Sequence, residues 1–172
     1  MSDDLYPIPA KPVTYKGIAM RSKTEARVAG ALERIGLEVD PLHYERLRFA
    51  DETGFYTPDF GPYEVAALGV PEQERVRLFV EARPEQTSPG HRRLAEQNAA
   101  TLAMSEPDAL LVFVGWREYG AALVGWCFGA LHRRVHAVIG VRRDAESGFQ
   151  EPCLYVGDFA HAWADGLLTH ET

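Results

Sequence analysis

Two acidic residues in the middle of the chain have the type and spacing that can hold a divalent cation. Asp59 follows a proline, and Glu81 lies on a predicted strand two residues before Arg83. Side chains two residues apart on a strand leave the same face, so Glu81 and Arg83 point the same way. Carboxylates that share a hard cation, with a cationic side chain beside them, can neutralise a phosphate and activate a water. The pattern therefore suits phosphodiester hydrolysis.

The two carboxylates meet only if the strands that carry them pair. Pro58 cannot take a ladder position in a central strand, so Asp59 is predicted where the sheet is interrupted. If the strands pair, Asp59 and Glu81 can share one cation, and the backbone carbonyl of Ala82 can be a further ligand. Each element also has a simpler interpretation. Pro-Asp is a common turn pair, and a Glu-x-Arg pair on a strand is commonly a solvated ion pair.

A third carboxylate, Glu25, lies on a helix that is predicted to begin near Ser22 and to end at Gly36. On this helix Glu25 shares a face with Val28 and Leu32, and an acid on an apolar face is costly unless it is paired or metal-bound. The alternative is a capping box, in which Glu25 only bonds back to the Ser22 backbone. The sequence leaves both interpretations open.

The other elements follow from hydrophobic periodicity and turn residues. Residues 76–83 alternate as a strand, 109–115 read as a strand buried on both faces, and a helix at 91–104 makes the two strands parallel. The remaining predictions are an extended arm at 1–14, a hairpin around a turn at 51–54, loops at 61–74 and 84–90, strands at 121–128, 135–142 and 153–156, and a closing helix at 159–168. This order predicts an α/β arrangement around a mixed sheet.

The ordered set resembles the PD-(D/E)XK nuclease superfamily, which includes restriction endonucleases, repair nucleases and small nucleases of phages and mobile elements. The resemblance spans residues 15–115 and rests on SKTEAR at 22–27, YTPDF at 56–60 and FVEARP at 79–84. It implies an α/β fold with a restriction-endonuclease-like core, a central mixed β-sheet flanked by helices. Residues 116–172 are then a C-terminal β/α extension packed on the same domain.

The resemblance also implies roles for the candidate residues. Asp59 and Glu81 bind the metal together with the Ala82 backbone carbonyl, and Glu25 binds it directly or through water. Mg²⁺ is the expected ion, and Mn²⁺ can take its place. The catalytic lysine of the family falls at Arg83, which departs from the pattern. Arginine donates well to phosphate, but it stays protonated and cannot act as a base.

Contacts with the substrate are less clearly marked. Arg92 and Arg93, on the helix after the strand, can reach a phosphate, although a solvated helix face is the simpler interpretation. Trp126 and the other two tryptophans are assigned to the core or to an interface rather than to base stacking. The six histidines do not have the spacing of a zinc site.

The composition limits the class of protein. A net charge of −7 argues against a protein that coats nucleic acid by charge alone, but it is compatible with a nuclease. No apolar run is long enough to cross a bilayer, and the N-terminus lacks the regions of a signal peptide, so a cytoplasmic protein with no membrane contact is predicted. Cys127 and Cys153 are not expected to form a disulfide.

The leading hypothesis is a Mg²⁺-dependent endonuclease that acts on DNA. The alternative is a catalytically weakened or inactive nuclease-fold protein that serves as a nucleic-acid-binding, protein-binding or assembly module. Arg83 and the acidic net charge favour this alternative. Two predicted strands that end near Val141 could supply an edge for a homo-oligomer. A third hypothesis, a factor that acts on another protein, is permitted by the charge but has no motif.

Overall fold

The chain folds mainly into strands, and six of them close into a barrel. The computed structural model describes residues 10–52, 54–83, 89–119, 122–129 and 134–164. Its elements are β1 (Val13–Tyr15), β2 (Ile18–Met20), α1 (Lys23–Ile35), β3 (Phe49–Asp51), β4 (Gly54–Tyr56), β5 (Phe60–Leu68), β6 (Arg75–Ala82), α2 (Pro89–Ser105), β7 (Ala109–Tyr119), β8 (Ala122–Gly129), β9 (Val135–Arg143), β10 (Gln150–Val156) and α3 (Asp158–Ala164). The barrel order is β10-β5-β6-β7-β8-β9, and β1-β2 and β3-β4 are separate two-stranded sheets.

This barrel corrects the predicted α/β core, a restriction-endonuclease-like central sheet flanked by helices. The structure is mostly β, and its mixed sheet is closed. The prediction is wrong because it assigns residues 61–74 to a loop, whereas β5 occupies most of that segment and pairs with both β6 and β10. Each of the six barrel strands therefore has two partners. The edge expected near Val141 is likewise not open, since β9 pairs with β8 and β10.

A bulge lets β5 run through a glycine and a proline. The register with β6 shifts between Phe60 and Tyr63. Gly61 has a φ of +115°, and a Cβ at this position would lie 2.8 Å from the carbonyl oxygen of Leu78. Glycine alone fits this conformation and this close approach. Pro62, which has no N–H to donate, is tolerated at such an irregularity.

Strand β6 buries side chains on both of its faces. Leu78 and Val80 pack with Leu32 of α1, and Phe79 packs with Leu102 of α2. We call these two sides the α1 face and the α2 face of the barrel wall. The packing confirms the prediction that successive side chains of this strand point to opposite faces. The register of β6 with β7 confirms that these strands are parallel.

Helix α1 begins and ends at the residues that the sequence indicates. The Ser22 hydroxyl accepts a hydrogen bond from the backbone N–H of Glu25, which caps the first turn. Gly36 ends the helix in the left-handed conformation, with a φ of 100°. The predicted hairpin around residues 51–54 is also present, as β3 paired with β4.

Several predicted elements include residues outside the described ranges: 1–9 of the arm, 53 of the turn, 84–88 of the loop, 121 of the strand at 121–128 and 165–168 of the closing helix. Within the described ranges, no helix is both long and apolar enough to cross a membrane. Cys127 and Cys153 are both buried and free.

The close contact between β7 and β8 generates a prediction about Gly125, which is paired with Val114. A Cβ on Gly125 would overlap the carbonyl oxygen of Phe113, so an added methyl group must push the strands apart. We expect Gly125→Ala to lower the free energy of unfolding by about 1–3 kcal/mol in urea denaturation. Gly140→Ala in β9 is the matched control, because a Cβ there has its nearest neighbours at 3.6 Å. Equal stability of the two variants would contradict this register.

Candidate active site

Three acidic side chains from separate elements are buried at one end of the barrel. Glu25 lies in the first turn of α1, Asp59 immediately precedes β5, and Glu81 is the next-to-last residue of β6. Their exposed fractions are 6%, 1% and 1%, respectively. Strands β5 and β6 are antiparallel with Phe60 opposite Val80, so the start of β5 lies beside the end of β6. The fold thus places two of the carboxylates on neighbouring strands.

Backbone N–H groups link Asp59 to Glu81. The N–H of Asp59 donates to Oε2 of Glu81 at 3.3 Å, and the N–H of Ala82 donates to Oδ2 of Asp59 at 2.8 Å. The hydroxyl of Tyr56 donates to the same Oε2 of Glu81 at 2.8 Å. The structure therefore brings together the two carboxylates that the sequence singles out. The group of Ala82 that contacts Asp59 here is the N–H, whereas the predicted metal ligand is the carbonyl of the same residue.

Glu25 combines the two interpretations that the sequence left open. Its backbone N–H takes part in the cap, but its carboxylate does not bond back to the backbone of Ser22. Instead, Oε2 accepts hydrogen bonds from the backbone N–H of Arg21 at 3.0 Å and from the hydroxyl of Tyr44 at 2.6 Å. Glu25 is therefore both part of a helix start and a buried acid with specific partners.

Arg21 connects the carboxylates, and sequence reasoning missed it. Its guanidinium lies 2.5 Å from Oδ1 of Asp59, 2.8 Å from Oε1 of Glu45 and 3.7 Å from Oε1 of Glu25. The side chain is nevertheless 60% exposed, so its head stands at the mouth of the cluster. The sequence offers one signal for this role of Arg21: it directly precedes Ser22, which caps the helix that carries the buried Glu25.

Arg83 pairs with Glu81 as the Glu-x-Arg pattern suggests. The distance between Nη2 of Arg83 and Oε1 of Glu81 is 2.7 Å. This pair is not the solvated surface pair of the simpler interpretation, because the Glu81 side chain is 2% exposed and the Arg83 side chain 25%. A charge-assisted bond of this kind, shielded from water on one side, is stronger than a surface ion pair.

The crowding of acids changes their protonation. Burial raises the pKa of Asp59 well above its ordinary value, the charges of Glu81 and Glu25 raise it further, and Arg21 and the Ala82 N–H only partly oppose this. Burial also raises the pKa of Glu81, against the effect of Arg83. For Arg21, burial disfavours the charge, but Asp59, Glu45 and Glu25 outweigh it and raise the pKa. The cluster is thus short of positive charge.

Arg92 and Arg93 are exposed on α2. Among the described residues, neither makes an ion pair or hydrogen bond with the three carboxylates. Their predicted contact with a phosphate stays a prediction.

A second group of ligand-type side chains was not predicted. Atoms of Glu38, Asp40 and His43 lie within 4.8 Å of one another. Nδ1 of His43 is 2.8 Å from Oδ1 of Asp40, and the same oxygen accepts the backbone N–H of Leu42 at 2.7 Å. These hydrogen bonds are those of a turn in which the side chain of Asp40 binds the residues that follow it. They explain why the three side chains lie together, and no metal is needed for this.

Comparison of the chain with protein-family models, with curated proteins and with solved structures gives no match. The functional argument therefore rests on the geometry of this site.

The acid cluster generates a prediction about Asp59→Asn. Since the folded-state pKa of Asp59 is raised above its unfolded value near 3.9, the folded state binds more protons between these two pKa values. The wild type therefore loses stability as the pH rises through this window, and the variant does not. We expect the free energy of unfolding of the variant, relative to wild type, to increase as the pH rises from the unfolded pKa of Asp59 through its raised folded-state pKa. Urea denaturation in EDTA measures it.

Asp144→Asn is the matched control with the opposite sign. Hydrogen bonds from Ser147 lower the pKa of Asp144, so its contribution is present above the unfolded pKa and is lost as the pH falls. This variant should be less stable than wild type near neutral pH. A pH-independent difference for Asp59→Asn would show that neither burial nor the neighbouring acids raise the pKa of Asp59 in the folded state.

Proposed function

We propose that this protein is a divalent-metal-dependent endonuclease that hydrolyses phosphodiester bonds in DNA. One observation carries the proposal: three carboxylates from distant parts of the sequence are buried together, with two arginines bound to them. Burial of an acid costs free energy, and packing alone gives no reason to collect three at one place. The proposal uses these side chains and their resemblance to PD-(D/E)XK motifs, and it does not use the restriction-endonuclease-like core, which the barrel replaces.

The donor set fits a hard divalent cation such as Mg²⁺ or Mn²⁺. Asp59, Glu81 and the Ala82 carbonyl would hold it, and Glu25 would bind it directly or through water. These three acids and Glu45 face two guanidinium groups, which leaves an excess of negative charge when all are ionised. When bound, the cation supplies charge neutralisation at the phosphate and a water of lowered pKa.

The arginines have a separate role from the carboxylates. Arg83 is held by Glu81, and its partly exposed guanidinium can donate hydrogen bonds to a phosphate at the mouth of the site. Because it keeps its proton, it stabilises charge and does not accept a proton from the attacking water. Arg21 is more exposed and can make the same kind of contact with a phosphate.

The same arginines favour a second candidate function. Arg21 and Arg83 already bind Asp59 and Glu81, so two of the acids are partly compensated by the chain itself. A catalytically weakened or inactive protein that binds nucleic acid or another protein is compatible with this pairing. The two candidates differ in one property, the need for a divalent cation.

Cleavage of plasmid and single-stranded DNA in Mg²⁺ or Mn²⁺ tests the endonuclease. We expect Glu81→Gln to lower the rate by about 100-fold or more, because the amide keeps the shape of the side chain but removes a charged metal ligand. Glu64→Gln is the matched control: Glu64 is an exposed glutamate on the adjacent strand β5, and its loss should leave the rate unchanged.

Two further variants separate the candidate functions. Arg83→Lys should retain cleavage, since it restores the family motif. Cleavage by Arg83→Lys alone, with an inactive wild type, would identify a metal site disabled at one residue. Calorimetric titration with Mn²⁺ should show binding that is lost in the double variant Asp59→Ala, Glu81→Ala. Unchanged binding in that variant, with no cleavage by any protein, would exclude the endonuclease and leave the binding module.

A further inference from the structure

A row of paired residues begins at the carboxylate site and runs from strand to strand along one face of the barrel wall. Glu81 of β6 is opposite Phe113 of β7, Phe113 is opposite Trp126 of β8, and Trp126 is opposite His136 of β9. Directly paired residues point to the same side of a sheet, so all four side chains lie on the α2 face. Neighbouring strands are about 4.8 Å apart, which puts Trp126 about 10 Å from Glu81.

The far end of this row is an aromatic and cationic stack. The guanidinium carbon of Arg134 lies 3.8 Å from the centre of the Trp126 ring. The rings of Trp126 and His136 meet edge to face at 5.4 Å, and His136 stacks on His161 of α3 at 4.8 Å. Trp126 is 38% exposed, so of the two predicted locations, core or interface, the core does not apply to this tryptophan. We call Trp126, Arg134, His136 and His161 the tryptophan patch.

The tryptophan patch contains nitrogen atoms without a hydrogen-bond partner among the described residues, and it contains a cationic side chain. Nε of Arg134 and Nδ1 of His136 are buried and have no hydrogen-bond partner among the described residues. Burial lowers the pKa of Arg134, and the positive charge of Arg92 on α2 lowers it further, with Glu96 acting in the opposite direction. The charge of Arg92 therefore acts on the same guanidinium that stacks on the Trp126 ring. An anion beside the Arg134 guanidinium would offset these two effects and could accept a charge-assisted hydrogen bond from it.

We propose that the tryptophan patch binds a segment of single-stranded DNA, with a base packed against the exposed part of the Trp126 ring and a backbone phosphate at Arg134. Single strands are bound by aromatic faces with cations beside them, because an unpaired base offers its ring. A duplex keeps its bases stacked and is held mainly through many phosphate contacts, which a chain of net charge −7 is poorly suited to make.

This inference extends the proposed function, since the patch lies in the same row as Glu81. The strands place Trp126 about 10 Å from Glu81, a distance that a few linked nucleotides exceed. Because Phe113 between them is buried with residues of α2, the DNA strand would have to pass over α2. The patch would then hold the strand beside the carboxylates and would select unpaired DNA as the substrate class.

The test measures binding without any metal, so that it is independent of cleavage. A fluorescently labelled thymidine oligonucleotide is titrated with the full chain in EDTA, and anisotropy is read beside a duplex of the same length. We expect Trp126→Ala to weaken single-strand binding by about 10-fold, since one base–aromatic stack contributes that much or more. Trp126→Phe should retain most of the affinity. Arg134→Gln should weaken binding and reduce its dependence on salt.

Phe149→Ala and Arg75→Gln are the matched controls. Phe149 is an exposed aromatic residue, 66% exposed, before β10, and Arg75 begins β6 at the end opposite to Glu81. Both should bind like wild type. Equal affinity of wild type and Trp126→Ala, or equal affinity for duplex and single strand, would overturn the inference. Loss of binding in Trp126→Ala together with an absence of metal-dependent cleavage would support the patch and reject the endonuclease.

Discussion

The carboxylate of Asp59 is buried where several segments of the chain meet, and two of them supply groups that bind it. Arg21, just before α1, binds one oxygen, and the N–H of Ala82 at the end of β6 binds the other. A buried carboxylate without such partners would be strongly destabilising. The start of α1, the start of β5 and the end of β6 therefore have to keep their relative positions, and these are the segments that carry Glu25, Asp59 and Glu81.

Local patterns in the sequence predict much of the fold but not its closure. The helix with Ser22 and Gly36 at its ends and the alternating strand β6 follow from interactions within a few residues, and both are present. Strand β5 was missed because Gly61-Pro62 has the composition of a loop, while here it fits a bulge. The parallel pairing of β5 with β10 joins residues far apart in the chain, such as Ala66 and Cys153, and no local pattern reports it.

In the candidate site, too, some residues can be predicted from the sequence, while others depend on contacts between distant segments. Asp59 and Glu81 could be found from residue type and spacing, since chemistry constrains both. Arg21 is marked only by its place before the capping serine. The hydroxyls of Tyr44 and Tyr56 have no such signal, because their roles depend on how loops and the β3–β4 hairpin lie against the acids. The tryptophan patch could not be predicted from the sequence for a related reason. The row of residues from β6 to β9 is aligned by the registers of three strand pairs, which no local pattern reports.

The arginines and the proposed cation compete for the same carboxylates, and this competition links stability to function. Arg21 reduces the repulsion among Glu25, Glu45 and Asp59, while burial and the charges of Glu81 and Glu25 still raise the pKa of Asp59. A divalent cation among these acids would repel the guanidinium, and Arg21 is exposed enough to turn outward. A phosphate arriving at the mouth would offer that guanidinium a new partner. The arginine that stabilises the carboxylate cluster would thereby become available to bind substrate.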